Sequence, residues 1–168
     1  MAPMSLRVLA PDTSETPTLV LQCDSRKYMF NAGEGTTRIS AQYRASNSRV
    51  EHIFLTRVAS ETMGGIPGLL MTLADGGRTS VDVYAPPNLL YALATTRLYA
   101  RRESMRVKPH EIPVTEPHVC FADEHIELQA IPLLPAQHRE LYAAQSSDRP
   151  SFDPVLQPWN QPHWRPSS

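Results

Sequence analysis

A buried strand, a short loop and a glycine-rich turn into a helix follow one another between residues 52 and 74. Residues 53–55 are consecutive apolar residues, which is typical of a strand buried on both faces of a sheet. The turn Gly64-Gly65-Ile66-Pro67-Gly68 then opens a helix predicted over Ile66–Ala74, which ends at the strong breaker of residues 75–77. A helix that follows such a strand directly has to cover the sheet, so this segment predicts a layered α/β domain.

The rest of the chain continues the alternation of strands and helices. Its 168 residues suit one domain with a single core. From about residue 146 the chain becomes rich in proline, tryptophan and serine, and we expect no regular structure there. The pattern predicts helices from Thr36 to about Arg44 and from residues 86–88 to about Glu103, and strands at Leu6–Ala10, Thr18–Cys23, Lys27–Asn31, His52–Thr56, Val81–Tyr84, Val119–Phe121, Ile126–Ile131 and Leu141–Ala144.

Composition limits the classes of function. The formal net charge is −1, so no global positive field draws the chain to nucleic acid, and any RNA contact requires a local patch. Cys23 and Cys120 are too few for a disulfide framework or a cysteine zinc site. The sequence has neither a run of about 20 apolar residues nor a recognisable targeting segment. We therefore expect an intracellular protein without a membrane partner, in the nucleus, the cytoplasm or a mitochondrion.

Residues 54–69 read Phe-Leu-Thr-Arg-Val-Ala-Ser-Glu-Thr-Met-Gly-Gly-Ile-Pro-Gly-Leu. This segment resembles the metallo-β-lactamase signature in its tRNase Z form, in which a His-x-His-x-Asp-His loop precedes Gly-Gly-Leu-Pro-Gly-Leu. Carried over position by position, the three histidines fall on Arg57, Ala59 and Thr62, and the aspartate falls on Glu61. The scaffold matches and the metal ligands do not, which resembles the N-terminal half of the long-form tRNase Z.

Further motifs of the same family follow in the same order between about residues 5 and 154. Tyr28–Thr36 is similar to the family's strand and Asp-Cys-Gly-Glu-Gly-Thr turn, with Asn31 and Ala32 in place of the first two turn residues. Pro135 falls on another histidine position of the zinc site. Segments 83–89 and 151–154 are similar to a strand–Gly-Pro-Pro-Gly–helix motif and to the stretch before the family's tRNA-gripping arm. The structural motif residues are Gly33, Glu34, Gly35, Gly64, Gly65, Pro67 and Gly68.

The resemblance implies a fold and a function. It implies an αββα sandwich of the metallo-β-lactamase type, degenerate and partial, over residues 1–145, followed by the proline-rich tail 146–168. Active members remove the 3′ trailer of precursor tRNA with a zinc-activated water. This chain would support that reaction without catalysing it, with precursor tRNA and a catalytic half, in cis or in trans, as its partners. Zinc is expected only in the catalytic half and not in this chain.

The degenerate loop leaves three hypotheses open. Arg57 carries no acceptor atom and Ala59 no donor atom, so packing of the loop, with Glu61 pairing Arg57, is favoured over metal binding. A non-catalytic module that holds a protein partner unrelated to tRNA is the second hypothesis. The third is a hydrolase whose ligands are rebuilt from Glu61, Asp123 and His138.

The Gly33-Glu34-Gly35-Thr36 turn allows two interpretations. Its glycines could present backbone N–H groups to a phosphate at a helix start. The segment lacks the lysine of a phosphate-binding loop, and in the resembling family the turn is architectural. A packing role is therefore favoured over anion binding.

Two surfaces are candidates for partners. One is a basic cluster, which either contacts RNA or forms the solvated face of a helix, with Arg97, Arg101 and Lys108 sharing one side. The other is the helix after Gly65, where Ile66, Leu69, Leu70 and Met71 are expected to offer apolar surface to the catalytic half. The basic cluster consists of Arg97, Arg101, Arg102, Arg106 and Lys108.

Overall fold

A computed structural model describes residues 4–9, 16–100 and 104–133 of the chain. The described residues up to Pro132 form one compact unit. Several sequence-based predictions lie outside the described residues: Arg101, Arg102, Pro135, His138, the strand at 141–144, the segment 151–154, and the domain boundary at residue 145 with the tail that follows it.

A six-stranded sheet forms the middle of the unit, with the strands in chain order from one edge to the other. β1 pairs with β2 and β2 with β3 in antiparallel fashion, whereas β3, β4, β5 and β6 are parallel neighbours. Parallel pairs need crossover connections, and helices supply each of them. The strands are β1 (Met4–Leu9), β2 (Thr18–Cys23), β3 (Arg26–Phe30), β4 (Val50–Phe54), β5 (Ser80–Ala85) and β6 (Arg106–Glu111).

Four helices and a hairpin complete the described part. The helix α1 (Thr36–Gln42) joins β3 to β4. The short α2 (Ser60–Met63) and the longer α3 (Ile66–Asp75) join β4 to β5, and α4 (Leu89–Ala100) precedes β6. A separate antiparallel hairpin follows, made of β7 (His118–Ala122) and β8 (Glu127–Ala130).

One face of the sheet packs against the helices. Met29, Ile53 and Val83 point to this side from three neighbouring strands and are fully buried. Against them lie Ile66, Leu69 and Leu70 of α3, which are buried as well. The prediction that these three residues expose apolar surface to a partner is therefore wrong, because the sheet is what their apolar face covers. Only Met71 of that set is half-exposed.

The other face of the sheet carries aromatic side chains under the β7–β8 hairpin. Tyr28, Phe54 and Tyr84 alternate with the residues of the first face, as the two-residue period of strands requires. Phe121 of the hairpin lies over them, with ring centroids 5.8, 5.9 and 6.0 Å from those of Tyr28, Phe54 and Tyr84. His52 lies in the same cluster, 4.4 Å from Phe121. The layers of the described unit are thus helices, sheet and hairpin.

The predicted elements agree with the structure to within a few residues, with two omissions, the short helix α2 and one strand. The omitted strand is β6, whose residues alternate between exposed and half-exposed. It contains Pro109, which cannot donate a hydrogen bond to the neighbouring strand and is found in edge strands.

The structure also corrects the predicted basic cluster, because α4 ends at Ala100 while Arg106 and Lys108 lie on β6. Arg97 and Lys108 do not share a helix face. None of the helices in the described part combines the length and apolar character needed to cross a bilayer.

Candidate functional site

The candidate site is the loop of residues 55–65, which leaves the carboxyl end of β4 and enters α3. Asn31, which follows β3, adopts a positive φ of 58°, a conformation that asparagine tolerates better than most residues. Its side-chain oxygen accepts hydrogen bonds from the backbone N–H and the hydroxyl of Thr56 at 3.0 and 3.1 Å. On the other side, the Leu55 N–H donates to the Tyr84 carbonyl at 2.8 Å. Neighbouring strand ends therefore hold the start of the loop.

Thr62 fixes the middle of the loop. The residue is fully buried. Its hydroxyl donates to the Arg57 carbonyl at 2.6 Å and lies 3.0 Å from the Ala59 carbonyl. Its own carbonyl accepts the Ala32 N–H at 2.7 Å. The hydroxyl thus bonds to backbone carbonyls of its own loop.

The other candidate ligand positions in the described part of the loop are Arg57, Ala59 and Glu61. Arg57 and Glu61 form the predicted ion pair at 3.9 Å, with about half of each side chain exposed. Ala59 has no donor atom, and a guanidinium repels a cation. Structural and catalytic zinc sites need three or four converging ligands. Among residues 4–9, 16–100 and 104–133, no group of three or more His, Cys, Asp or Glu is placed to hold a metal.

Glycines allow the loop to pack onto the turn after β3. A Cβ atom on Gly65 would lie 2.1 Å from the Gly33 carbonyl oxygen, and one on Gly33 would lie 2.7 Å from the Glu61 carbonyl oxygen. The Gly65 N–H donates to the Ala32 carbonyl at 2.8 Å. The Gly33 carbonyl accepts the Thr36 hydroxyl at 2.7 Å. Two backbones therefore meet here without space for a side chain between them.

Two of the three residues of the rebuilt-ligand hypothesis, Glu61 and Asp123, contact different parts of β3 and the turn after it, and the third, His138, lies outside the described residues. Asp123 accepts hydrogen bonds from Tyr28 and Arg26 at the start of β3. The backbone of Glu61 contacts Gly33, beyond the end of that strand. The five residues of β3 span about 13 Å at ~3.3 Å per residue. The contacts of Asp123 are therefore with the first half of β3, whereas those of Glu61 are beyond its end.

The basic residues predicted to contact RNA are distributed over two elements. Arg97 is exposed on α4, and Arg106 is exposed on β6. Lys108 lies 3.6 Å from a carboxylate oxygen of Asp82 and is partly neutralised by it. The sequence did not indicate a different group of cations, Arg7, Lys27 and Arg49, because only the register of the first four strands brings these residues near one another.

A shallow open groove of about 280 Å³ lies beside the loop, between α4 and the short α2. The hydroxyls of Thr95 and Thr96 border it, but both donate to the Ala92 carbonyl within their own helix. Ala59, Met63 and Pro67 contribute apolar surface. The groove therefore offers few free polar groups to orient a small ligand.

Comparison with known proteins identifies the family. The family model described as tRNase Z endonuclease matches residues 6–65. A mitochondrial tRNase Z of Arabidopsis thaliana is 37% identical over 144 residues, which are 82% of this chain and 16% of the relative. The mitochondrial ribonuclease Z of Drosophila melanogaster is 32% identical over 132 residues, 78% of this chain and 17% of the relative. The chain belongs to the tRNase Z family.

Solved structures confirm the predicted fold. Human tRNase Z, short form, superimposes with a TM-score of 0.64 at 23% identity, over 75% of this chain and 57% of that one. A metallo-β-lactamase fold protein of Bacillus subtilis superimposes with a TM-score of 0.52 at 12% identity, over 69% and 48% of the two chains. The unit therefore has the metallo-β-lactamase fold. The chain spans about one sixth of the length of the curated relatives it matches.

Proposed function

We propose that this tRNase Z chain is a non-catalytic domain that supports removal of the 3′ trailer from precursor tRNA, together with a catalytic half in cis or in trans. The observation that carries the proposal is the set of side chains at the metal-ligand positions of the 55–65 loop. The positions that align with the signature's histidines hold an exposed cation, a methyl group and a buried hydroxyl that bonds the loop's own backbone. The names tRNase Z and ribonuclease Z of its relatives support tRNA as the substrate class.

We propose further that zinc belongs to the catalytic half alone. There the metal would activate the water that attacks the RNA phosphate. In this chain Arg57 places a fixed positive charge where a cation would sit, and Glu61, the one carboxylate of the loop, already faces that charge. The chain's own residues therefore keep the shape of the loop and supply no nucleophile.

A role in supporting the catalytic half would explain why the 55–65 loop keeps a fixed shape without metal ligands. The hydrogen bonds of Asn31 and Thr62 and the contact between Gly33 and Gly65 hold the segment closely without a metal. Such a segment is suited to position a partner half or the acceptor end of a tRNA. The names of the Arabidopsis and Drosophila relatives include the word mitochondrial, which supports an intracellular location for this chain.

Two measurements test the proposal. Elemental analysis of the purified chain gives its zinc content, which we expect to be far below one atom per chain. A processing assay then compares labelled precursor tRNA incubated with the chain alone, with a separately purified catalytic tRNase Z half, and with both. We expect no cleavage by the chain alone and a higher kcat/KM when both are present.

The contrary outcomes identify the alternatives. One tightly held zinc per chain, or trailer removal by the chain alone, would assign it to the metal-dependent hydrolases. Unchanged processing with no association with the catalytic half would favour an interaction module without a role in tRNA maturation.

A further inference from the structure

Several described cations on the sheet and its loops face an acid. Arg26 lies 3.1 Å from Asp123, and Arg78 lies 2.9 Å from Glu51. Arg57 and Lys108 have the acidic partners described above. Three other basic residues form no ion pair with any acid in the described ranges: Arg7 on β1, Lys27 on β3, and Arg49, which directly precedes β4. These three residues are called the β1–β4 cation patch below.

Strand register brings the patch together. Arg7 lies opposite Val20, and Val20 lies opposite Met29. Lys27 is two residues before Met29 and therefore points to the same face as Arg7. Two strand spacings and two residues separate their Cα atoms by about 12 Å, a distance that two long side chains can largely bridge. Arg49 directly precedes Val50, the partner of Lys27 on β4.

Lys27 is the fixed member of the patch. Its ammonium donates to the Ser46 carbonyl at 2.6 Å, in the loop between α1 and β4. Partial burial, and then the neighbouring charges of Arg7 and Arg49, lower the pKa of Lys27 below its ordinary value. The two arginines are exposed and keep their charge at any physiological pH. Like charges so arranged repel one another, so a bound anion would relieve the repulsion.

The surroundings of the patch also favour an anion. The hydroxyls of Ser46 and Ser48 lie 2.9 Å apart in the exposed loop before Arg49. Glu51, the acid that follows Arg49 on the chain, is engaged by Arg78, which also donates to the Ser48 carbonyl at 2.9 Å. The carboxylate closest to Arg49 along the chain is therefore engaged by a cation outside the patch, in a protein whose formal net charge is −1.

We propose that the β1–β4 cation patch binds the phosphate backbone of RNA. The proposal rests on the tRNA-processing role proposed above and moves the RNA contact from the α4 region to the edge of the sheet. Three separate cations suit successive phosphates along one strand, and such contacts are independent of base sequence. Expected affinity is in the weak, salt-dependent range of non-specific binding.

The test is a salt titration of binding to a labelled precursor tRNA, performed with the full chain. The variant Arg7→Gln/Lys27→Gln/Arg49→Gln removes all three charges. Because Lys27 is partly buried, Arg7→Gln/Arg49→Gln is a second variant that leaves the fixed member intact. Each lost phosphate contact should reduce the slope of log K against log salt by roughly 0.7–0.9. We expect the slope to fall by about two for the double variant and about two to three for the triple variant.

A matched variant removes the same charge elsewhere. Arg38, Arg97 and Arg106 are exposed and form no ion pair within the described ranges. Arg38→Gln/Arg97→Gln/Arg106→Gln should leave the slope within about half a unit of the unmodified chain. Thermal unfolding of each variant verifies its fold before binding is measured.

Three results would overturn the proposal. They are the absence of RNA binding by the unmodified chain, equal slopes for the patch variants and the unmodified chain, and an equal fall in the matched variant. If the patch variants bind RNA normally but associate less with the catalytic half, the patch is a protein-docking surface instead. Processing can still be stimulated in that case, so failure of the patch differs from failure of the proposed function.

Discussion

Thr62 occupies a position at which the tRNase Z signature carries a histidine. In this chain the side chain faces the backbone of its own loop, and no water-accessible surface remains on the residue. Removal of this buried hydroxyl would take a donor from the Arg57 carbonyl, whereas the Ala59 carbonyl would keep the backbone N–H groups of Thr62 and Met63. The position therefore has a structural role that replaces a ligand role.

We expect Thr62→Val to destabilise the chain by about 1–3 kcal/mol, since the substitution keeps the shape and removes the hydroxyl. Thr37→Val is the matched control, because the buried hydroxyl of Thr37 has no hydrogen-bond partner within the described residues. That control should change the free energy of unfolding by less than about 0.5 kcal/mol. Denaturant unfolding of the two variants measures both values. Equal losses would show that the hydroxyl of Thr62 contributes nothing specific.

His52 shows how a polar residue is accommodated in an aromatic cluster. Its ring stacks against Tyr28 at 5.8 Å and lies 4.4 Å from Phe121. Its Nδ1 atom is buried, with no hydrogen-bond partner among the residues that the structure describes. Burial lowers the pKa of His52, and the attraction of Asp82 opposes this only in part.

This lowered pKa predicts an acid-sensitive stability. Below about pH 6.5 the unfolded chain binds the proton on His52 more readily than the folded chain. Stability that is fully present above this pH is therefore lost as the pH falls. We expect His52→Phe to lose less thermal stability than the unmodified chain between pH 7.5 and pH 5.5. His118→Gln, at an exposed position, is the matched control, and a similar effect of both variants would contradict the assignment.

At the scale of elements, the glycine-rich turn decides how α3 meets the turn after β3. The motif contains glycines with different requirements. At Gly65 a side chain would collide with backbone at 2.1 Å, while at Gly68 the first neighbour is the Thr37 hydroxyl at 3.8 Å. Close packing therefore requires a glycine at position 65, whereas Gly68 lies in a helix with space for a side chain.

We expect Gly65→Ala to cost about 3 kcal/mol or more, because two backbone segments have to separate. Gly68→Ala should be neutral or stabilise the chain by up to about 1 kcal/mol, since alanine loses less conformational entropy in a helix. The melting temperatures of the two variants measure the difference. A stable Gly65→Ala variant would show that the loop and the turn are not in contact in solution.

At the scale of the whole molecule, features that depend on neighbouring residues could be predicted from the sequence, whereas contacts between residues far apart in the chain could not. The strand–loop–helix segment was predictable because its apolar run and its glycines act within a few residues. The strand β6 was not, since a proline and alternating polar residues carry no strong strand signal. The apolar stripe of α3 was recognised, but a stripe does not tell whether a sheet or a partner covers it. The β1–β4 cation patch depends on register across four strands, which the sequence does not reveal.

Asp123, between β7 and β8, accepts hydrogen bonds from Arg26 and Tyr28 of β3 and so connects the hairpin to the sheet. Its replacement should therefore lower the stability of the whole unit. Burial alone would raise the pKa of Asp123, but hydrogen bonds from Tyr28, the N–H groups of His125 and Ile126, and Arg26 hold it well below its usual range. Its charged form therefore stabilises the fold above about pH 4 and loses that contribution as the pH falls further.

We expect Asp123→Asn to lower the free energy of unfolding by about 1–3 kcal/mol at pH 7 and by progressively less towards pH 2. Glu124→Gln, whose carboxylate is 67% exposed, should cost less than about 0.5 kcal/mol. Urea unfolding at several pH values distinguishes the two, and a difference between Asp123→Asn and the unmodified chain that is as large at pH 2 as at pH 7 would assign the loss to packing instead of charge.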